Sequence, residues 1–454
     1  MTMARPILTA AAMRAAEAAS GVPVGVLMER AGAAVAEAVW RYAAGAPTLI
    51  VCGPGNNGGD GYVVARLLRA RGMAVTVAAS GDPRTEAARA ARGAWDGPVG
   101  ALPEAVAQPV LVDALFGTGL TRGLDAATLT SLGRLAAGAR HKIAIDLPSG
   151  VDSDGGSRFD CTLPAMDLTV ALGALKPAHR LQPAAALCGR VAVADLGLGD
   201  VASDLVEISR PHLTAPGPAD HKYTRGPVAV VAGAMAGAAL LAATAAQRAG
   251  SGYVQLVGST QAGGLHALVR HAGTDTVSDR RVGTVLCGPG MGDGDRAAFD
   301  AALASGRPLV LDAGALRMVS VAALRALPHR AILTPHEGEF AGLFGSLPGD
   351  RIARARAAAE RAQAVVVLKG ADTVVASTDG RAAIAPPAPG WLATAGTGDV
   401  LAGIMAAMRA RIDDPFVAAQ AAVWIHQNAA EAAGAVLVAD DLADHIGKAV
   451  IECL

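Results

Sequence analysis

The sequence predicts two α/β domains in tandem, and three observations carry that expectation. Short apolar runs alternate with helical segments along most of the chain, several of those runs end in Gly or Asp, and the rhythm lapses once, at a proline-rich stretch near the middle. At 454 residues the chain exceeds the roughly 250–300 residues at which a single hydrophobic core stops growing. Hydrophobic residues make up 52% and charged residues 17%, so there is ample apolar surface to bury.

The first series begins with helical spacing from about Ala10 to Tyr42. Thr48 to Cys52, Ala74 to Ala78, Val110 to Asp113 and Lys142 to Asp146 then read as strands of a parallel sheet. Open sheets of this kind bind ligands beyond the C-terminal ends of their strands, so the polar strand ends mark the functional edge. Ser209-Arg-Pro-His-Leu-Thr-Ala-Pro-Gly-Pro218 holds three prolines and little apolar content, which sets the expected domains at 1–207 and 208–454. A second series follows: Val228 to Ala232, Tyr253 to Val257, Thr284 to Cys287, Pro308 to Asp312, Ala331 to Thr334 and Ala364 to Lys369.

Composition narrows the partners. A formal charge of -1, from 39 basic and 40 acidic residues without a basic tract, gives no footprint for nucleic acid or an acidic membrane. Cys52, Cys161, Cys188, Cys287 and Cys453 are odd in number and form no CxxC pair, so neither a disulfide framework nor a zinc site is expected and a reducing cytoplasm fits. The start, Met-Thr-Met-Ala-Arg-Pro, lacks the apolar core of a secretion signal. Pro227 to Ala246 is uncharged, but it reads as a strand, a glycine break and an alanine-rich helix rather than a membrane span.

The clearest motif is Gly53-Pro-Gly-Asn-Asn-Gly-Gly-Asp-Gly61, set between a buried strand and a helix from Tyr62 to Arg71. Gly53, Gly55 and Gly58 satisfy G-x-G-x-x-G, and free amides at a helix start hold phosphate. A dehydrogenase with Asp82 as the ribose acid, or a tight turn without ligand, would also fit this loop alone. Asn56, Asn57 and Asp60 add amide and carboxylate groups that a pyrophosphate turn does not need. Two further strand ends meet the same edge, Asp113-Ala-Leu-Phe-Gly-Thr-Gly-Leu-Thr-Arg-Gly123 and Ala144-Ile-Asp-Leu-Pro-Ser-Gly-Val-Asp152; Asp113 and Asp146 could there act chemically or simply cap the next helices.

Taken together, these three segments resemble the NAD(P)H-hydrate epimerase family, from Leu27-Met-Glu-Arg-Ala-Gly32 to Val191-Ala-Val-Ala-Asp-Leu-Gly197. The resemblance implies a Rossmann-like three-layer α/β/α domain. It implies that Asn56, Asn57, Gly58, Gly59 and Asp60, with Gly117, Thr118, Gly119, Leu120, Thr121, Arg122 and Gly123, hold the hydrated nucleotide. It further implies K+ on Asn57, Asp113 and Ser149, and Asp146 as a substrate-binding acid/base residue. Inverting a hydroxyl-bearing carbon needs proton transfers, which a carboxylate near the nicotinamide ring can supply.

The second half shows His221-Lys-Tyr-Thr-Arg-Gly226, Cys287-Gly-Pro-Gly-Met-Gly292, Thr334-Pro-His-Glu-Gly-Glu-Phe340, Leu368-Lys-Gly-Ala-Asp-Thr373 and Thr394-Ala-Gly-Thr-Gly-Asp399. Val400 to Arg411 reads as a helix, which places the amides of Gly396 to Gly398 at its positive end as an anion hole. An acid directly after such a hole suits phosphoryl transfer, with Asp399 taking a hydroxyl proton; the plainer reading is a carboxylate that complements the helix dipole. Lys369 to Thr373 could receive nucleotide phosphates or be a solvated turn, and His336 could contact substrate or be structural.

This set resembles the ADP-dependent NAD(P)H-hydrate dehydratase family, of ribokinase-like α/β fold, over about His221 to Arg409. The resemblance implies that Ser251, Gly290, His336 and Asp399 meet the hydrate. It places Lys369, Gly370, Ala371, Asp372, Thr373 and Gly398 around the AMP portion, with Mg2+ accompanying ADP. Val231-Ala-Gly-Ala-Met-Ala-Gly-Ala-Ala239 departs from the longer glycine- and serine-containing loop usual in the family. The whole is then expected to be a bifunctional cofactor-repair enzyme, cytoplasmic and homo-oligomeric, taking NADHX or NADPHX and ADP. A vitamin or sugar kinase fused to a nucleotide-binding domain, or a noncatalytic first domain, are the rival readings.

Overall fold

Strands of two to five mostly apolar residues build two sheets in a computed structural model that describes residues 5–258, 263 and 265–454. Two units follow from its internal packing, Arg5–Ser203 and Asp204–Leu454.

The first unit contains β1 (Thr48–Cys52), β2 (Val75–Ala79), β3 (Val99–Ala101), β4 (Val110–Ala114), β5 (His141–Ile145), β6 (Leu168–Leu172) and β7 (Arg190–Ala194). They pair in the order β3-β2-β1-β4-β5-β6-β7, all parallel. Both β1 and β4 are buried along their whole length, as central parallel strands covered on two faces must be. Side chains alternate across the sheet: Ile50 and Cys52 join Val35, Val39, Val64 and Leu68 of the helices Val24–Ala43 and Asn56–Ala70. Leu49 and Val51 join Leu132 and Leu135 of the helix Ala126–Gly138 on the opposite face. Strand order reverses between β1 and β4, and the loops leaving those two strands part to open a crevice there.

In the second unit the strands are β8 (Leu205–Glu207), β9 (Val228–Val231), β10 (Val254–Val257), β11 (Val269–His271), β12 (Thr284–Cys287), β13 (Leu309–Leu311), β14 (Ile332–Leu333), β15 (Val365–Leu368), β16 (Val374–Ala376) and β17 (Ala382–Ile384). Their order is β11-β10-β9-β12-β13-β14-β15-β16-β17-β8, parallel from β11 to β15 and antiparallel through β16 and β17. Here the reversal lies between β9 and β12. The alanine-rich helices Ala236–Arg248, Thr397–Arg409, Pro415–Ala433 and Ala439–Glu452 pack into one core with the strand residues Val230, Leu286, Val310 and Val367.

The expected boundary at 207/208 falls later than the division of the fold. β8 pairs in parallel with β17, so Leu205–Glu207 belongs to the second sheet. Three residues carry too little periodicity to announce a strand, and its partner lies about 180 positions away, which no local pattern reveals. Pro227 to Ala246 resolves into β9, a turn and the start of a helix, and no helix among the described residues is long and apolar enough to cross a membrane.

Candidate active sites

The glycine loop after β1 is shaped first by the backbone it touches. A Cβ at Gly53 would lie 1.8 Å from the Leu115 carbonyl oxygen, so the loops after β1 and β4 can meet only if Gly53 lacks a side chain, and one at Gly58 would lie 1.8 Å from the Gly53 carbonyl oxygen, so the loop can fold back on itself only if Gly58 does. The helix begins at Asn56 rather than Tyr62 as the sequence suggested. Its opening glycines are tolerated because the turn is buried, with Gly58 to Gly61 covered by neighbouring chain. The amides of Asn56, Asn57 and Gly58, which precede the first intrahelical acceptor, are therefore at the crevice.

A cavity of about 510 Å³ opens at this point. Asn56, Asn57, Asp60, Gly117, Thr118, Gly119, Leu120 and Asp146 line it, all from the expected set. Gly58 and Gly59 lie buried within the helix start, while Thr121, Arg122 and Gly123 are exposed and do not line the cavity. The chain turns away there because Asp160 accepts from the Leu124 amide and abuts Gly123. Asn56 Oδ1 accepts from the Thr85 hydroxyl at 2.6 Å, whereas Asn57 Nδ2 is buried without a partner.

Asp113, at the end of β4, is fully buried. Its Oδ1 accepts from the Ser149 hydroxyl (2.7 Å) and the Leu115 amide (3.1 Å), and its Oδ2 accepts from the Ser149 amide (2.9 Å). Burial pushes its carboxyl up, and these three donors only partly offset that. Ser149 also accepts from the Phe116 amide at 2.9 Å, which ties the segment after β5 to the loop after β4.

Asp146 follows β5 with φ of 65°, a left-handed backbone that costs a non-glycine residue roughly 1–2 kcal/mol. Its Oδ1 accepts from Lys176 Nζ at 2.6 Å and from the Leu172 amide at 3.2 Å. Lys176 is 1% exposed, so the pair is buried. Burial alone would raise the Asp146 carboxyl; the Lys176 ammonium, with help from His179 and the Leu172 amide, outweighs it and holds the group below the usual carboxylate range. Asp60 goes the other way, pushed well above that range by burial and by the charges of Asp146 and Glu17. The site thus sets a carboxyl held low by a buried ammonium, Asp146, against one held high by burial, Asp60.

Lys176, His179 and Glu17 were not among the expected residues. Leu172-Gly-Ala-Leu-Lys-Pro-Ala-His179 leaves β6 at the same edge, so the strand-end logic that singled out Asp113 and Asp146 could have found the first two. Glu17 comes from the helix Ala10–Ala19, and nothing local in its sequence points to a cavity.

In the second unit, Gly396 has φ of 88° and starts the helix Thr397–Arg409, so the amides of Thr397, Gly398 and Asp399 precede the ladder as an anion hole. The Thr397 hydroxyl donates to the carbonyls of Leu392 and Thr394, and His426 Nε2 lies 2.9 Å from the Thr397 carbonyl. Burial and the Asp312 charge push the Asp399 carboxyl up to about 6, against the Lys369 ammonium. Lys369, after β15, reaches Asp312, after β13, at 2.7 Å, and Thr334 donates to the same Asp312 oxygen at 2.8 Å. A Cβ on Gly398 would stand 3.6 Å from Lys369 Nζ, so Gly398, Asp399 and Lys369 share one spot.

Lys369 to Thr373 is the turn between antiparallel β15 and β16, with Arg351 donating to the carbonyls of Leu368, Lys369 and Asp372. The Gly370 amide donates to the Thr373 hydroxyl at 3.3 Å, so that amide is already engaged; Ala371 is exposed and Asp372 is buried against Arg351. His336 caps the helix Glu337–Phe344: its Nδ1 accepts from the Gly338 and Glu339 amides, while its ring, 61% exposed, borders a second cavity of about 530 Å³ with Arg317, Ser320 and Glu339. Gly290 has φ of 72° and would place a Cβ 2.2 Å from the Met235 carbonyl oxygen, a backbone reason for glycine whatever it binds.

Ser251 departs from expectation. It precedes β10, at the N-terminal edge of the sheet, where its hydroxyl donates to the Gly226 carbonyl. A loop entering a parallel strand lies opposite the loops leaving it, so this chain does not bring Ser251 to Asp399. Asp312 and Glu339 were missed, although Leu309-Val-Leu-Asp312 is a strand closed by an acid like those of the first unit.

Comparison with known proteins covers both units. Residues 24–178 match a family described as "YjeF-related protein N-terminus", and residues 228–452 match one described as "NAD(P)H-hydrate dehydratase". The "Bifunctional NAD(P)H-hydrate repair enzyme Nnr" of Mycobacterium tuberculosis (strain CDC 1551 / Oshkosh) is 36% identical over 425 residues, 88% of each chain. The protein of the same name from Escherichia coli (strain K12) is 32% identical over 418 residues, 84% of this chain and 80% of that one. A solved structure of ADP/ATP-dependent NAD(P)H-hydrate dehydratase from Bacillus subtilis is 30% identical with a TM-score of 0.46, covering 54% of this chain and 95% of that chain. The two units have the expected classes, Rossmann-like α/β/α and then ribokinase-like α/β. On relatives more than 30% identical along most of its length, the chain belongs to the bifunctional NAD(P)H-hydrate repair enzyme family.

Proposed function

We propose that the first unit interconverts the R and S hydrates of NADH or NADPH, and that the second dehydrates the S hydrate while converting ADP to AMP and phosphate. One observation carries this reading: each unit sets a carboxylate near free helix-start amides, Asp146 near Asn56 and Asn57 and Asp399 beside Thr397 and Gly398. The amides suit the phosphates of a dinucleotide or a transferring phosphoryl group, and the carboxylates suit proton transfer.

In the first site Asp146 moves the proton at the hydrated carbon, with Asn56, Asn57 and the Gly117–Leu120 loop holding the nucleotide. Asn57, Asp113 and Ser149 supply only amide, carboxylate and hydroxyl oxygens, a hard donor set that fits K+, and they converge on the Leu115–Gly117 loop. K+ bound there would fix that loop against the substrate by charge alone.

In the second site Asp399 takes the proton of the substrate hydroxyl, whose oxygen attacks the β-phosphoryl group of ADP and releases AMP. The C–O bond then breaks with phosphate as the leaving group, the adjacent ring carbon gives up a proton to phosphate or water, and the electron pair of that C–H bond forms the C=C bond of the dihydronicotinamide. Lys369, Gly370, Ala371, Asp372, Thr373 and Gly398 hold the nucleotide, and Gly290 and His336 border the hydrate. The carboxylates of Asp312 and Asp399 at this edge fit Mg2+, which takes few protein ligands beside phosphate oxygens, and such an ion arriving with ADP would supply charge neutralisation at the transferring group. A homo-oligomer in the cytoplasm belongs to the same proposal.

The test is incubation with separated R and S hydrates and each nucleotide in turn. The near-ultraviolet absorbance of NADH should return with AMP and phosphate released. A stable phosphorylated product would instead make the second unit a kinase. Undiminished use of the R hydrate by Asp146→Ala would remove the catalytic role of the first unit.

A further inference from the structure

The two oxygens of Asp146 have different surroundings. Oδ1 accepts from Lys176 Nζ at 2.6 Å and the Leu172 amide at 3.2 Å. Oδ2 has no hydrogen-bond partner among the described residues and faces Gly117, whose Cβ, if present, would lie 3.0 Å away. Gly117 lines the cavity, so the free oxygen is the one turned toward it.

The backbone of Asp146 is held as well. His179 Nδ1 accepts from the Lys176 amide at 2.8 Å, which leaves the ring proton on Nε2 to donate to the Asp146 carbonyl at 2.7 Å. Lys176 Nζ donates a second bond, to the Leu172 carbonyl at 2.6 Å, and so ties the end of β6 to the carboxylate. The segment Lys176–His179 thus grips Asp146 at side chain and main chain, and the residue gripped is one in a left-handed conformation that the chain would otherwise leave.

Resting on the epimerase reading, we propose that Lys176 and His179 are the positioning residues of the first site, anchoring Asp146 through Oδ1 and its carbonyl so that Oδ2 alone meets the substrate. Lys176 lies in the wall of the same cavity but is 1% exposed, and two of its ammonium hydrogens are engaged by Asp146 and Leu172, which suits an anchor better than a group that must reach substrate. Misplacement of a reacting atom by 1 Å is enough to lower a rate about a hundredfold, so the effect should be in turnover rather than affinity.

Conversion of the R to the S hydrate, followed by chromatographic separation without nucleotide in the full-length protein, reads this out. Lys176→Met should lower kcat about a hundredfold with KM within about threefold of wild type, and Lys176→Arg should recover at least about a tenth of the activity. His179→Leu should lower kcat roughly tenfold with KM unchanged, since the carboxylate anchor remains. Raised KM at wild-type kcat, or an Arg variant no better than Met, would overturn the proposal. Should Lys176→Met fail to fold, His179→Leu decides it, and wild-type kcat in that variant overturns it. A wild-type protein that does not interconvert the hydrates would sink the epimerase reading itself, a different result from active protein with indifferent variants.

Discussion

Lys369 spans from the end of β15 to the end of β13, past β14, to place its ammonium 2.7 Å from Asp312 Oδ1. The Asp312 charge and burial raise the Asp399 carboxyl to about 6, while Lys369 pulls it down. A base works when ionised, so dehydration of the S hydrate should fall as pH drops through about 6 and level off above it. Asp312→Asn removes a raising charge and should move that acid limb to lower pH. Asp399→Asn should cost roughly a hundredfold or more in kcat at neutral pH and leave interconversion of the hydrates intact. A pH–rate series on the three proteins checks all of this, and an acid limb that stays in place in Asp312→Asn would refute the coupling.

Gly117→Ala probes the first crevice without removing a polar group. The added Cβ would stand 3.0 Å from Asp146 Oδ2 and 3.1 Å from Asn57 Oδ1, and both must retreat by a few tenths of an ångström. Gly117 is only partly buried, so stability should change little while hydrate interconversion drops about tenfold. Equal activity in alanine and glycine forms would show that the crevice has slack the geometry does not suggest.

Ser149→Ala removes a hydroxyl that donates to Asp113 Oδ1 and accepts from the Phe116 amide. Leaving the buried Asp113 short of a donor should destabilise the first unit by about 1–3 kcal/mol in chemical denaturation. The same variant should need more K+ than wild type for hydrate interconversion. Exchange of K+ for a bulky organic cation should depress the wild-type rate; a rate indifferent to that exchange would argue against the ion.

Each unit buries one neutral histidine, and both should weaken the fold in acid. Burial lowers His179 and His426 to about 4, from an ordinary value of 6.5. The folded forms therefore bind fewer protons than the unfolded chain, so their stability is fully present above pH 6.5 and is lost as pH falls toward 4. The loss is on the order of 3 kcal/mol for each histidine. Replacing His426 by Gln should flatten that part of the melting profile between those pH values; an unchanged slope would show that His426 is not its source.

Much of this was legible because strands of a parallel sheet are short, apolar and closed by polar residues. Gly53 to Gly61, Asp113, Asp146 and Asp399 each sit at a strand end or helix start, which chain order alone places at the functional edge of the sheet. The helix start at Asn56 was missed because glycines oppose helix formation in isolation, and burial of that turn overrides the preference. Ser251 was misplaced for a different reason. Its turn looks like a ligand loop, but it enters a strand instead of leaving one.

By itself the sequence determined the two α/β units, the glycine loops that only glycine permits, and the carboxylates that close the strands, because these depend on local spacing and backbone sterics. Only the tertiary structure decided that Lys176 pairs with Asp146 across 30 positions and Lys369 with Asp312 across 57. Those pairs depend on the order of strands within each sheet, and the charges they bring together raise or lower the carboxyls beside them. Burial and neighbouring charge are properties of the folded surroundings, so no reading of residue order could supply them.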